Sequence, residues 1–389
     1  MRKGMERVKL EVWHNLAWSR YKAGVFSALA SLATGRGDIV HITQIALTDS
    51  QRAALSDTRT EQIPYPHEIL YRSHYDEISR LQLYRDVARR AWQTEADITF
   101  IAGVDRPEYW IQAVILALRG RKRAVFFDST RLDKPPSLMR HLAKRLFFSL
   151  VPWTLSYGER ARANAISLGV SPNRALLRPQ AAYLPPDYDL REIPRLRQER
   201  RDPATQTVLY VGRLSPEKRV DVLIEGFAEY QASYPAANLR IVGAGPEEKR
   251  LRHLAQASGA GDALHFVGSL QDDALVDEYL GADVLVLPSH SEPWGLVVNE
   301  ALHYGCPVIV SDRCGCVPEL VEGAPCGLVI PSGDPVAVAR ALALAQTRFA
   351  DRETVAQACL ATIGPYSAEA AARKIIDAAD LITDASSEA

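Results

Sequence analysis

The sequence predicts an α/β architecture of two doubly wound domains in series, and three observations support that prediction. Short apolar runs alternate with helix-like stretches along most of the chain. The alternation restarts after a proline-rich, charged stretch near the middle. With 389 residues, 47% apolar and 24% charged, each half has enough material for its own core. Alternating strands and helices favour parallel strands with helices on both sheet faces.

In chain order, VKLEVW (8–13) reads as the first strand, and a long loop leads from it to an apolar helix over Val25 to Ala33. The runs DIVHITQIAL (38–47), ADITFIAG (96–103) and RAVFFDS (123–129) read as strands. Helices are predicted near Trp110 to Arg119 and Ser137 to Phe148. Residues 175–207 carry five prolines among many charges and read as a linker. Beyond it come strands at 207–214, 238–245, 263–270, 283–289 and 307–312. The helices between them cover Val220–Tyr234, Pro246–Ser258, Asp272–Gly281 and Gly295–Tyr304. The domains are therefore set at 1–190 and 205–365. A final helix over 366–385, with Ala371, Ile375, Ile376, Ala379 and Ile382 at helical spacing, is expected to pack back on the first domain.

Composition narrows the function classes. No stretch has the roughly 20 apolar residues of a membrane span, and the basic start MRKGMERVKLEVW lacks a signal-peptide core, so a cytoplasmic protein is expected. The net charge of −1 hides a division: residues 1–200 hold 32 Lys+Arg against 21 Asp+Glu, net +11, and the remainder is −12. The first half would be drawn to anionic partners. The five cysteines lie late in the chain without histidines at finger spacing and read as reduced, buried thiols, so no metal site is expected. No nucleic-acid-binding module accompanies the basic residues.

Ligands of such sheets bind beyond the carboxyl ends of the strands. In the second half those ends hold Gly212-Arg213, Gly243-Ala244-Gly245, Gly268-Ser269, Ser289 to Gly295, and Ser311-Asp312. Glycines admit a ligand to the backbone, and helix starts offer N–H groups to an anion. GAGPEE (243–248) lacks the third glycine of a dinucleotide fingerprint and follows the wrong strand. Arg213 and Lys218 either converge on one anion or are solvated surface charges. Glu300 lies inside an apolar helix and points to the crevice, finds a core cation, or sits on an exposed face. Glu292 reaches a polar ligand or caps the following helix.

From GRLSPEK (212–218) through IVGAGPE, FVGSL, DVLVLPS, WGLVVNEAL and G-CPVIVSD to CGLVIPSGD (326–334), the second half resembles the donor domain of the retaining GT-B glycosyltransferases, family four. LSYGERARANAISLGV (155–170) is more faintly similar to their acceptor domain. The resemblance implies a GT-B fold: two Rossmann-like doubly wound domains facing across a cleft. It further implies retaining, metal-independent transfer of a hexosyl group from a UDP- or GDP-linked sugar, with no other cofactor. Arg213 and Lys218 would hold the diphosphate beside Gly212 and Gly243. Glu292, with the Pro293, Trp294, Gly295, Leu296 and Val297 backbone, would hold the donor sugar and phosphates, and Glu300 the ribose. The base would lie near Ser269 and Leu270, with Asp272 reading a guanine edge. Asp128 stands where the family often has histidine; it would hydrogen-bond a sugar hydroxyl or help deprotonate the acceptor.

The rival readings are a sugar-nucleotide epimerase or hydrolase of the same fold and a silent partner of another transferase. On the acceptor side, RGRKR (119–123) and the helix with Arg140, Lys144, Arg145, Leu146, Phe147, Phe148 and Trp153 suit an anionic inner-membrane face and a lipid-linked glycan acceptor. Equally, the apolar face is ordinary core. Asp187-Tyr188-Asp189 looks like a metal-binding pair but lies in the linker.

Overall fold

A computed structural model describes residues 7–17, 20–49, 64–133, 137–185, 187–202 and 204–384. Most of the basic N-terminal start, Trp18 and Ser19 of the loop after the first strand, and linker residues Pro186 and Pro203 lie outside the described residues. The chain divides into two compact units. The first comprises 1–129, 136–183 and 367–389, and the second 130–135 and 184–366.

The first unit is built on β1 (Lys9–Leu16), β2 (Ile39–Thr48), β3 (His67–His74), β4 (Ile98–Ile101), β5 (Lys122–Phe127), β6 (Trp153–Ser156) and β7 (Ala175–Leu177). They form a parallel sheet in the order β3-β2-β1-β4-β5-β6-β7. β4 is buried at every position and β5 at its last four, as strands covered on both faces must be. Edge strand β3, HEILYRSH, is half-buried along most of its length, which is why its polar sequence carries no strand signal.

Helix α1 (Arg20–Arg36) packs beside the last helix, α13 (Ala368–Asp384), whose stripe of Ala371, Ile375, Ile376, Ala379 and Ile382 is buried. An Arg36–Asp380 ion pair at 2.9 Å and a 2.6 Å bond from Lys122 Nζ to the Thr383 carbonyl anchor α13 to this unit.

The second unit carries β8 (Gln206–Val211), β9 (Ala237–Val242), β10 (Leu264–Gly268), β11 (Val284–Leu287), β12 (Val308–Ser311) and β13 (Gly327–Ile330), all parallel, in the order β10-β9-β8-β11-β12-β13. Its crossover helices include α7 (Val220–Ser233), α8 (Glu248–Ala257), α9 (Asp272–Gly281) and α10 (Leu296–His303).

The segment read as linker is more ordered than its prolines suggest. It contains β7 and the helix α6 (Ile193–Glu199). Arg197 of α6, 1% exposed, donates to the carbonyls of Tyr279, Ala282 and Tyr304, satisfying the helix-terminal oxygens of α9 and α10. Helix α8 starts at Glu248 instead of Pro246, because Gly245 and Pro246 are used in the turn before it.

Among the described residues no helix is long and apolar enough to cross a membrane. The basic, aromatic segment also sorts differently from its sequence reading. In α4 (Leu138–Leu150), Phe147 and Phe148 turn into the core. Lys144 lies over the Phe127 ring and donates to Ser129. Leu138, Met139, Leu142 and Leu146 are the exposed apolar ridge, with Arg140 and Arg145 also exposed. The bases at 119–123 are largely committed: Arg119, Lys122 and Arg123 donate to backbone carbonyls.

Candidate functional site

In the second unit the strand order reverses direction between β8 and β11, and the loops leaving these two strands flank the point where such sheets bind ligands. Both loops are pinned. Gly212 N–H bonds the Val242 carbonyl at 3.0 Å, Leu214 N–H the Ala244 carbonyl at 2.9 Å, and Gly243 N–H the Gly268 carbonyl at 2.8 Å. His290 N–H bonds the Glu217 carbonyl at 2.8 Å, and Gly315 N–H the Glu292 carbonyl at 2.9 Å. The loops after β10, β9, β8, β11 and β12 thus form a continuous hydrogen-bonded rim.

The glycines of that rim serve close packing of loop on loop. A Cβ at Gly243, where φ is +138°, would stand 1.9 Å from the Gly212 carbonyl oxygen, and one at Gly245 would stand 2.2 Å from that of Leu214. A side chain at either position would therefore collide with the neighbouring loop's backbone. Two non-glycine residues on the rim have left-handed backbone, Arg219 (φ 51°) before α7 and Asp272 (φ 50°) at the start of α9. Each costs roughly 1–3 kcal/mol.

The charged residues fall into two groups. Lys218 Nζ forms an ion pair with Glu292 across 74 positions of sequence, joining the β8 and β11 loops; their side chains are 18% and 14% exposed. Arg213 is half-exposed and pairs with Glu217 at 2.8 Å, while Ser215 Oγ also donates to Glu217 at 2.6 Å. The two cations thus each hold a carboxylate of their own. Among the described residues Glu300 has found no cation, and its face is not fully exposed: Tyr279 Oη donates to it at 2.6 Å, and burial pushes its carboxyl pKa up despite that bond.

The remaining predicted donor residues are placed as follows. Pro293, Leu296 and Val297 are half-buried around Gly295, which caps α10 with φ +103°. Trp294 is buried, its indole donating to Asn299 at 2.7 Å, so its side chain is structural. Ser269 and Asp272 are exposed and Leu270 half-buried, at the β10 end of the rim. Asp189 accepts from Arg191 at 2.6 Å, and this cation holds its carboxyl down at about 2.

Asp128 lies in the first unit, exposed, on a cavity of about 370 Å³ at the carboxyl ends of that unit's strands. Here the structure assembles residues that sequence reading did not select: His14 on β1, Lys22 on α1 and Tyr157 after β6 line the cavity, and Arg178 after β7, which does not line it, packs against the Tyr157 and Phe126 rings. Lys22 is 6% and Arg178 2% exposed. The available signals were a lysine in the loop-to-helix stretch HNLAWSRYKAG, where a glycine loop is absent, and an arginine directly after the apolar run Ala175–Leu177.

Residues 193–357 match the family model described as glycosyl transferases group 1. A D-inositol 3-phosphate glycosyltransferase of Acidothermus cellulolyticus is 38% identical over 145 residues, which is 35% of this chain and 32% of that protein. The chain thus spans about a third of the length of this curated relative. Over the whole chain the likeness is structural. Anabaena Alr3699/HepE in complex with UDP superposes with a TM-score of 0.70 at 17% identity, covering 95% of this chain and 98% of that one. A glycosyltransferase from Rickettsia africae gives 0.71 at 13% identity, covering 97% and 99%. The chain therefore has the α/β fold of the GT-B glycosyltransferases, and its residues 193–357 carry the sequence pattern of the group 1 glycosyl transferases.

Proposed function

We propose that the chain is a retaining, metal-independent glycosyltransferase that moves a hexosyl group from a UDP- or GDP-linked sugar to a hydroxyl of a glycan acceptor in polysaccharide or glycoconjugate synthesis. The observation that carries this reading is the meeting of Lys218 and Glu292 beside the N-terminus of α10, at the reversal of strand order and inside the segment that matches the family. A lysine, a nearby arginine and free helix N–H groups suit a diphosphate and the charge that grows on it as it leaves. UDP and UDP-glucose complexes of HepE, a protein of the same fold, support a nucleotide-sugar donor.

In this reading Lys218 exchanges Glu292 for the diphosphate, and Arg213 turns from Glu217 to the same anion. The freed Glu292 accepts from donor-sugar hydroxyls. Glu300 accepts from the ribose, Ser269 and Leu270 border the base, and Asp272 faces a base edge. Asp128 hydrogen-bonds a sugar hydroxyl. The exposed ridge of Leu138, Met139, Leu142 and Leu146 beside Arg140 and Arg145 supports docking on an anionic inner-membrane face that presents a lipid-linked acceptor.

Incubation with UDP-, GDP- and ADP-sugars, with and without glycan acceptors, tests the reaction. Product that requires acceptor supports transfer; donor turnover at full speed without one would replace it with hydrolysis or epimerisation. Sedimentation with anionic vesicles no greater than with neutral ones would remove the membrane component.

A further inference from the structure

The Glu300 carboxylate is held by a single donor, and that donor is itself locked in place. Tyr279 Oη donates to Glu300 Oε2 at 2.6 Å, and no other donor reaches that carboxylate among the described residues. Tyr279 lies on α9, 1% exposed, and its ring stacks on that of Tyr304 with centroids 5.8 Å apart and planes 9° from parallel. Tyr304 caps α10, the helix that carries Glu300, and its N–H bonds the Glu300 carbonyl at 3.1 Å. Arg197 Nη1 donates to the carbonyls of both tyrosines, at 2.9 Å to Tyr279 and 3.4 Å to Tyr304. Ring stacking and a shared guanidinium thus fix the phenol relative to the helix that bears the carboxylate.

The bond acts on both the charge and the direction of Glu300. Burial favours the neutral carboxyl, and the Tyr279 hydrogen bond opposes burial by stabilising the charged form. Burial and the adjacent Glu300 push the Tyr279 phenol well above its ordinary value, so its proton stays on the oxygen and remains there to donate. A phenol has one proton to give, whereas a carboxylate has two accepting oxygens. With that proton on Oε2, the carboxylate cannot turn without breaking the contact, and Oε1 is left to accept from a ligand.

We infer that Tyr279 is a positioning residue for the nucleotide: it aims the Glu300 carboxylate so that Oε1 accepts from a ribose hydroxyl, and thereby sets a preference for ribonucleotides over nucleotides lacking those hydroxyls. The inference rests on the reading above that Glu300 takes the ribose; Tyr279 itself does not touch the ligand. A site built to bond a hydroxyl rejects the analogue without it, because the buried acceptor is then left unpaired. A phenol that served only the packing of α9 on α10 would carry no such preference.

The test is calorimetric titration of the full chain with UDP and GDP, each compared with its 2′,3′-dideoxy counterpart. The parent should bind the ribonucleotide about tenfold more tightly than the dideoxy form. Tyr279→Phe keeps the ring and its stacking and removes the hydroxyl. It should weaken the ribonucleotide roughly fivefold and leave the dideoxy form unchanged. Glu300→Gln should erase the preference, and adding Tyr279→Phe to it should weaken the ribonucleotide no further. If Tyr279→Phe does not fold, Tyr304→Leu decides: it removes the ring stacked on Tyr279 and should lower the same ratio. Equal weakening of both forms by Tyr279→Phe, or an undiminished ratio, would overturn the inference alone. Binding of neither UDP nor GDP by the parent would overturn the donor reading and the inference with it.

Discussion

The two units carry cations at equivalent places, the reversal of strand order, yet satisfy them differently. In the second unit Lys218 holds Glu292 and Arg213 holds Glu217, so each positive charge has a carboxylate that a ligand must displace. In the first unit Lys22 and Arg178 lie against Tyr157 and Phe126; Lys22 donates to the Tyr157 hydroxyl, and Arg178 Nε and Nη1 have no hydrogen-bond partner among the described residues. The difference separates two ways of holding a cation. A paired site stays neutral until an anion of higher charge competes for its cation. A cation walled by aromatic rings bears its desolvation cost continuously.

The largest effect that probes this contrast is on the packed rim of the second unit. Gly243→Ala places a Cβ against the Gly212 carbonyl at a positive φ, and denaturant unfolding should show a loss of about 3 kcal/mol or more. A loss under ~1 kcal/mol would mean that the rim yields to the added methyl group.

Next in size is Lys218→Ala, which should weaken UDP or GDP binding about 100-fold, the ~2–3 kcal/mol of a charge-assisted hydrogen bond. Undiminished nucleotide binding would mean that Lys218 serves only its ion pair with Glu292.

Glu300→Gln should lower donor affinity about tenfold and reveal a pH dependence. Because burial raises the Glu300 carboxyl pKa above its ordinary 4.5, the folded state favours the protonated form. That stability is fully present below pH 4.5 and is lost as pH rises through the raised value. The Gln variant should thus melt above the parent at pH 7, with the gap closing toward pH 4.5. A gap that widens on acidification would contradict the assignment.

The smallest effect concerns Lys22. Burial pulls it down to about 8; Arg178 pulls the same way, while Tyr21 and Asp128 oppose. His14 is neutral, and Tyr157 stays protonated because burial raises it to about 12. Thermal stability should therefore rise between pH 8 and 10.5, because the folded state releases the Lys22 proton first, and Lys22→Met should flatten that slope.

How much of this was legible in the sequence follows the same contrast. The second-unit loops could be read because strand, glycine and helix start lie within a few residues of each other, as in GRLSPEK and SEPWGLVVNEAL. The Lys218–Glu292 pairing could not, since only the sheet brings positions 74 apart together. The first-unit cavity draws no more than three residues from any one segment, β1, α1 and the ends of β4, β5, β6 and β7, and among those segments the sequence offered only the faint likeness of 155–170. Arg178 was hidden further by prolines that made a strand and a helix read as linker. On α4 the spacing held the answer: Leu138, Leu142 and Leu146 recur every four residues on one face, which sets Phe147 and Phe148 on the other.

The most direct test of the central claim is calorimetric titration of the full chain and its Lys218→Ala variant with UDP, GDP and ADP. The account predicts one-to-one binding of UDP or GDP to the parent and about 100-fold weaker binding to the variant. No heat from any of the three nucleotides, or equal affinity in both proteins, would contradict it.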